Sequence, residues 1–314
     1  MRDITLEELL EAGCHFGHQV NRRNPRADDY IFEERNNVHI INLENTRNGL
    51  LKAAEFVKNL AEKDGKLLIV GTKRQAHAVI ADEIERFKQA VKNPEEKDLG
   101  LYYITTRWIG GVLTNFSEVS KNFKKLKDLG EFLANDKIPE GYTKRELVLM
   151  DKERQKLLMF YGGVQNMDRI PDAVFIVDTH HEHTAVSEAK SVNVATIGIT
   201  DTNADPTSVN IAIPSNDDAV GALKLIISYI IDAWIEGSDL RKAEGDRLLD
   251  QSEATGADKR GTQKAKNEVK AAAEVQKTEE KTEVKVDEKP KEVKAVLVKK
   301  TVKKKATGKK SKTK

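Results

Sequence analysis

Short apolar runs alternate with segments of helical periodicity along the chain to about residue 236. The runs predict strands at residues 67–70, 102–104, 173–177, 194–199 and 210–213. Stretches with apolar residues three and four apart predict helices at residues 45–63, 75–90, 184–191 and 216–236. Continuous apolar strands that alternate with helices are typical of a parallel sheet covered on both faces. The pattern therefore predicts an α/β fold with a doubly wound, five-stranded parallel sheet.

Two further signals lie before the first of these strands. Thr5 and Glu8 have the spacing of a capping box, which predicts a short helix that ends at Gly13. Residues 38–43 are predicted to form a short strand or an extended entry into the sheet domain.

The connection between the second and third predicted strands breaks the alternation. Two apolar seams with spacings of three and four lie in it: Phe116, Val119, Phe123, Leu126, Gly130 and Leu133, then Leu147, Met150, Arg154, Leu157 and Tyr161. A turn at residues 139–143 separates them. We therefore predict an antiparallel coiled-coil helical hairpin at residues 113–161, which is inserted in the sheet domain and projects from it.

Charge divides the chain into two parts of opposite sign. The total charge is only +2, but residues 1–239 carry −8 and residues 240–314 carry +10. The second part has no aromatic residue and few large aliphatic ones, so burial cannot offset its ordering entropy. We expect a sheet domain at residues 1–112 and 162–237, and a disordered tail at residues 238–314.

Composition argues against several classes of protein. No run of eighteen or more apolar residues occurs, so no membrane-spanning helix is expected. The single cysteine, Cys14, cannot form an internal disulfide, which fits a reducing cytosol. The first ten residues lack the basic start and apolar run of a secretory signal.

Polar residues at the carboxyl ends of the predicted strands would line a crevice. Gly71-Thr72-Lys73-Arg74 lies between a strand and a helix N-terminus, where free N–H groups favour an anion. An RNA phosphate or a nucleotide phosphate would suit this position. A plain turn with solvated basic residues explains the same sequence equally well. The glycine spacings of nucleotide-binding loops and the G-x-S-x-G motif are absent.

Aspartates at the same edge leave an alternative function open. Asp178 and Asp201, together with Lys73, would suit an Mg²⁺-dependent phosphotransfer or hydrolase enzyme. Aspartates in turns are more often helix caps and Asx turns. A non-catalytic role is therefore preferred.

Cys14, His15 and His18 have the spacing C-H-x-x-H. Structural zinc sites usually need a second, similarly spaced pair of ligands, and none is evident here. These residues are weak zinc candidates, and we predict neither a metal nor a cofactor.

A compact basic loop stands out on the acidic body. Arg22, Arg23 and Arg26 lie within five residues, and guanidinium groups bind phosphate oxygens bidentately. Asp28 and Asp29 follow closely and would partly cancel the field of these arginines.

Further basic residues lie outside this loop. Arg107 precedes Trp108, which is either a base-stacking residue or, more typically, a core residue. Charged residues on the two predicted hairpin arms either contact a partner or are simply solvated. The complete set of candidate RNA-binding residues is Arg22, Arg23, Arg26, Lys73, Arg74, Arg107, Lys121, Lys124, Lys125, Lys144 and Arg145.

Eight short motifs occur in register along the chain. They are His15-Phe-Gly-His18, Asn24-Pro25, Gly71-Thr-Lys-Arg-Gln-Ala76, Arg107-Trp-Ile-Gly-Gly-Val-Leu-Thr-Asn-Phe116, Gly162-Gly163, Pro171-Asp172, Asp201-Thr-Asn-Ala-Asp-Pro206 and Ile213-Pro-Ser-Asn-Asp-Asp-Ala219. Together they resemble the bacterial small-subunit ribosomal protein two family over roughly residues 3–237.

This resemblance implies a flavodoxin-like sheet domain with an inserted coiled-coil hairpin. It implies a structural role near the head–body junction of the small ribosomal subunit, in the bacterial cytoplasm. The partners that it implies are small-subunit ribosomal RNA and neighbouring ribosomal proteins, including the mRNA-binding ribosomal protein one, which it would help to hold. It implies neither a membrane partner nor a small-molecule substrate.

Overall fold

Strands and helices alternate in a computed structural model that describes residues 2–91, 99–134 and 142–243. The strands of this part are β1 (Phe16–Gln19), β2 (Ile31–Arg35), β3 (Val38–Ile41), β4 (Leu67–Val70), β5 (Leu101–Ile104), β6 (Ala173–Ile176), β7 (Ala195–Thr200) and β8 (Ile211–Pro214). Its α-helices are α1 (Leu6–Glu11), α2 (Leu43–Glu62), α3 (Arg74–Ala90), α4 (Phe116–Ala134), α5 (Lys144–Tyr161), α6 (His183–Ser191) and α7 (residues 220–243).

The central sheet is parallel, with the strand order β5-β4-β6-β7-β8. Leu67 at the start of β4 pairs with Leu101 of β5 on one side and with Ala173 of β6 on the other. This is the doubly wound order of flavodoxin-like folds, in which the direction of winding reverses between β4 and β6. The predicted five-stranded α/β sheet is confirmed.

Side chains alternate along each strand, so the sheet has one core on each face. Leu67 and Ile69 of β4 point into a core completed by α2, α3 and α7. Leu68 and Val70 point into a second core, formed with α4, α6 and the loop at residues 107–115. Trp108 of that loop is buried in the second core, in agreement with the sequence.

A small antiparallel sheet of order β1-β3-β2 was missed by the sequence pattern. Only β3 was predicted, because β1 contains a glycine and a histidine and β2 is mostly polar and exposed. A usable signal was the Asn36-Asn37 pair, since both residues have a positive φ (52° and 63°) in the tight turn between β2 and β3.

Two helices are inserted between β5 and β6 and run antiparallel. Phe123 of α4 packs edge-on against Tyr161 of α5, with ring centroids 5.4 Å apart. The Asn122 amide donates to the Tyr161 hydroxyl over 3.3 Å, and Lys125 pairs with Glu153. These contacts join the first half of α4 to the second half of α5, which places the base of the pair beside the sheet.

The helix α7 corrects two predicted boundaries. It begins at residue 220, after the predicted start at residue 216, and it continues past Gly237. A Cβ at Gly237 would lie 2.3 Å from the Lys58 carbonyl oxygen, so α7 packs closely on α2 at this point. The helix thus extends into the first residues of the predicted tail, at residues 238–243. The remainder of the predicted tail, at residues 244–314, lies outside the described residues.

No helix in residues 2–91, 99–134 or 142–243 has the length and apolar composition needed to cross a membrane.

Alanine substitutions at two glycines, one within α4 and one just after α5, should change the free energy of unfolding in opposite directions. Gly163→Ala places a Cβ 2.1 Å from the Tyr103 carbonyl oxygen of β5. We expect it to lower the free energy of unfolding by about 2 kcal/mol or more. Gly130→Ala meets nothing within 4 Å and should raise that energy by about 0.5–1 kcal/mol, because alanine favours helix. Urea unfolding followed by circular dichroism measures both changes, and a stabilised Gly163→Ala would contradict the packing described for β5.

Candidate nucleic-acid interface

The loops after β4, β6, β7 and β8 leave the same edge of the parallel sheet and meet there. Lys73, which follows β4, places its ammonium nitrogen 2.7 Å from a carboxylate oxygen of Asp217 and 2.7 Å from one of Asp218. Asp178, which follows β6, lies 3.3 Å from the same nitrogen. With His18 and Asp201, these residues are called the carboxyl-edge cluster below.

Burial and neighbouring charges both shift the pKa values of groups in this cluster. Burial alone would lower the pKa of the Lys73 ammonium, but the hydrogen bond and charge of Asp217, helped by Asp218 and Asp178, raise it. Burial, followed by the charges of Asp178 and Asp201, raises the pKa of Asp217 to about 7, against the pull of Lys73. Lys73 thus serves as the internal counterion of a buried acidic group.

His18 connects β1 to the same cluster. Its Nδ1 lies 3.0 Å from a carboxylate oxygen of Asp201, and its backbone N–H donates to the Thr202 hydroxyl over 2.9 Å. The hydrogen bond to Asp201 raises the pKa of His18, although burial opposes it. Ligand atoms of His18, Asp201 and Asp217 lie within 4.8 Å of one another, as metal ligands would. Lys73 already supplies a cation to Asp217 there.

Cys14 and His15 are not grouped with His18 among these potential metal ligands. Burial raises the pKa of the Cys14 thiol to about 11, although a hydrogen bond with Ser215 opposes the shift. A zinc ligand must be the thiolate, which such an environment disfavours. The C-H-x-x-H spacing therefore does not become a shared site.

The crevice that the sequence offered to a phosphate is filled by the protein's own carboxylates. The Thr72 backbone N–H donates to Glu182 over 3.2 Å, and the Thr72 hydroxyl bonds to the same oxygen. Asp178 accepts hydrogen bonds from the backbone N–H groups of His180 (2.9 Å) and His181 (2.8 Å). The donors that an anionic ligand would need from Thr72 and Lys73 are therefore already engaged.

The candidate RNA-binding residues divide into two groups by their ion pairs. Five are paired inside the protein: Arg23 with Asp28, Arg26 with Asp205, Lys73 with three aspartates, Lys121 with Glu118, and Lys125 with Glu153. Within the described ranges the others are exposed and form no ion pair: Arg22, Arg74, Arg107, Lys124, Lys144 and Arg145. The second group is the better suited to phosphate contact.

Three of these unpaired cations, called the carboxyl-edge arginines below, belong to the loops at the carboxyl edge of the sheet. Arg74 begins α3 beside Lys73, and Arg107 follows β5, the neighbour of β4. Arg22 follows β1. Burial raises the pKa of Asp218 in the cluster, but Lys73, followed by the charges of His18 and Arg22, lowers it below its ordinary value. Lys124, Lys144 and Arg145 lie on the inserted helices instead.

A second exposed surface escaped the sequence pattern. Phe32 of β2 is 70% exposed and Phe16 of β1 is 50% exposed, an unusual state for large aromatic side chains. Phe16 pairs with Ile40, so the two side chains share the outer face of the antiparallel sheet. Phe32 lies at the register irregularity between Ile31, which pairs with Ile41, and Glu33, which pairs with Ile40. Phe16, Phe32 and Ile40 are called the aromatic face below.

A doubly wound sheet with a filled crevice and outward cations has the character of a structural binding protein rather than an enzyme. The comparison with known families agrees, because the model described as ribosomal protein S2 matches residues 9–237. The chain belongs to the ribosomal protein S2 family. Membership makes it a structural component of the small ribosomal subunit, and the alternative Mg²⁺-dependent enzyme is not supported.

The cluster should make stability depend on pH with a definite sign. The pKa of His18 lies above its ordinary 6.5, and that of Asp217 is raised from 3.8 to about 7. In the window between the ordinary and the raised values, the folded chain binds more protons than the unfolded chain. The free energy of unfolding should therefore fall as the pH rises from about 5 to about 7 through Asp217, and His18 should extend the fall above pH 6.5. Urea unfolding measures this change.

The contribution of His18 can be separated from that of other histidines. His18→Gln removes one titrating group, so the fall in stability across this range should become shallower. His183→Gln changes an exposed histidine outside the cluster and should leave the fall as steep as in the native chain. Equal slopes for His18→Gln and the native chain would contradict the role of His18.

Proposed function

We propose that this chain docks on small-subunit ribosomal RNA through a few local cations and on neighbouring proteins through the aromatic face. RNA binding is supported by the division of the candidate cations into an ion-paired group and an unpaired group. Five neutralise the protein's own carboxylates, and in the described residues the other six stand exposed without an ion pair.

The charge of the body explains why these contacts are local. Residues 1–239 carry a net charge of −8, so most of this surface repels phosphate. A cation that already has an ion-pair partner must give up that pairing to bind RNA, whereas an unpaired arginine has no such cost. The carboxyl-edge arginines therefore make the principal phosphate contacts of the sheet domain, by bidentate hydrogen bonds.

The inserted helices form a coiled-coil hairpin in this proposal, and they too bind RNA phosphates through unpaired cations. The buried seam residues of α4 are Val119, Phe123 and Leu126, all in its first two-thirds, and α5 has only Tyr161. A pair with so little core of its own is suited to rest on a partner. Its unpaired cations Lys124, Lys144 and Arg145 supply contacts with RNA phosphates.

The aromatic face is the proposed protein-docking surface. Large exposed aromatic side chains are enriched where proteins associate, because each buries much apolar area when it meets a partner. The resemblance to the bacterial family implies a role in holding ribosomal protein one, and we propose that protein as the partner of this face. This surface contributes no cation of its own, so its affinity rests on burial rather than on charge.

The RNA contacts can be tested with two variants of equal charge. The triple variant Arg22→Ala, Arg74→Ala, Arg107→Ala removes unpaired cations and should weaken binding to small-subunit ribosomal RNA. It should also flatten the dependence of log K on log salt by about 0.7–0.9 for each lost contact. Filter binding at several salt concentrations measures both quantities.

The matched control removes the same charge from paired positions: Arg23→Ala, Arg26→Ala, Lys121→Ala. We expect its salt slope to stay close to that of the native chain. If both triple variants lose affinity equally, net charge alone determines binding. An unchanged slope in the first variant would remove the carboxyl-edge arginines from the interface.

The aromatic face has a separate test. Phe16→Ala with Phe32→Ala should weaken binding to purified ribosomal protein one by at least about tenfold, while RNA affinity stays unchanged. Val148→Ala with Leu149→Ala removes side chains of α5 that are 54% and 57% exposed and serves as the control. Calorimetric titration measures the affinities. A larger loss in the control pair would move the docking surface to α5.

A further inference from the structure

The loop between β5 and α4 is organised around one carboxylate, that of Glu188 on α6. One carboxylate oxygen accepts hydrogen bonds from the Trp108 indole N–H (3.1 Å) and the Gly111 backbone N–H (2.9 Å). The other accepts from the backbone N–H groups of Leu113 (3.3 Å) and Thr114 (3.3 Å) and from the Thr114 hydroxyl (3.1 Å). Five donors of a single loop thus converge on one side chain.

Glu188 is only 9% exposed and, among the described residues, forms no ion pair. A buried carboxylate without a cation is costly unless hydrogen bonds satisfy it. Burial alone would raise the pKa of Glu188, but the bonds from Gly111, Trp108, Thr114 and Leu113 lower it below its ordinary value. The ionised carboxylate and this loop conformation therefore depend on each other.

Arg107 lies between two anchored residues of this loop. On one side, the Thr106 hydroxyl donates to the Met159 carbonyl oxygen of α5 over 2.9 Å. On the other side, Trp108 is buried and its indole is bonded to Glu188. The Arg107 side chain itself is exposed, so its backbone is held while its guanidinium stays available. Such preorganisation reduces the entropy lost when a phosphate is bound.

We propose that Glu188 is a positioning residue for RNA binding, which acts through Trp108 and the loop to place Arg107 without touching RNA. This inference rests on the proposed function, because it needs Arg107 to contact RNA. It also gives a functional reason for the buried carboxylate of Glu188, which bonds to the loop and not to the strands of the sheet. The loop joins the sheet domain to the inserted helices, so the same carboxylate holds Arg107 in place relative to both.

The test is a double-mutant cycle in the full chain, with a transcript of small-subunit ribosomal RNA as the probe. Arg107→Ala should weaken binding about tenfold, as expected for a hydrogen-bonded charge. Glu188→Gln keeps the side-chain shape, but its amide group confronts N–H donors of the loop. It should weaken binding by about threefold or more, and in its background Arg107→Ala should cost little further, because the effects are coupled.

A matched control is available at the opposite end of the same helix. Glu182→Gln alters a second buried carboxylate, which bonds to Thr72 rather than to the Arg107 loop. In that background Arg107→Ala should keep its full effect. If Glu188→Gln fails to fold, Trp108→Phe removes one donor to Glu188 and retains the packed ring, and the same coupling with Arg107→Ala is expected. Amide exchange at Gly111, Leu113 and Thr114 should quicken in Glu188→Gln.

The outcomes separate this inference from the proposed function. Strictly additive effects of Glu188→Gln and Arg107→Ala would leave Glu188 with a role in stability alone and overturn the inference. If Arg107→Ala has no effect while Arg22→Ala and Arg74→Ala weaken binding, the inference falls and the proposed function stands. If none of the three arginines affects RNA affinity, the RNA part of the proposed function falls as well.

Discussion

The ammonium of Lys73, held by three aspartates, determines what the carboxyl edge of this sheet does. In doubly wound folds this edge usually receives a ligand, because loops and helix N-termini converge on it. Here Lys73 neutralises Asp178, Asp217 and Asp218 instead, and it joins the loops of β4, β6 and β8. His18 extends the same network to β1 through Asp201. Ion pairs within the protein therefore occupy the edge at which a ligand would otherwise bind.

At the start and the end of α6, a buried carboxylate likewise holds a loop of the protein. Glu182 bonds to the loop after β4, and Glu188 bonds to the loop after β5. Both carboxylates are buried, so each loop keeps the conformation that satisfies them. The outward side chains of these loops include Arg74 and Arg107. Rigid loops that carry free arginines are what a protein needs when it must match the fixed shape of a folded RNA.

In the proposed function, RNA binding by this chain depends on where its cations lie rather than on its total charge. The body is acidic, and five of the eleven candidate RNA-binding cations are paired with the protein's own carboxylates. The two surfaces that we propose for partners differ in kind: separate arginines for phosphate, and exposed aromatic rings for protein. This division fits a component that is held between RNA and other proteins in an assembly.

Local signals in the sequence determined much of the fold. The strand Leu67–Val70 and the capping box at Thr5 were predictable, because apolar runs and caps act over a few residues. The strands β1 and β2 were not, since their stability comes from pairing with β3 and not from their own composition. The site depended on tertiary structure even more. Lys73 lies 105 residues from Asp178 and 144 from Asp217 along the chain. Only the folding of the parallel sheet, which brings the carboxyl ends of its strands to one edge, decided that this lysine serves the protein's own acids.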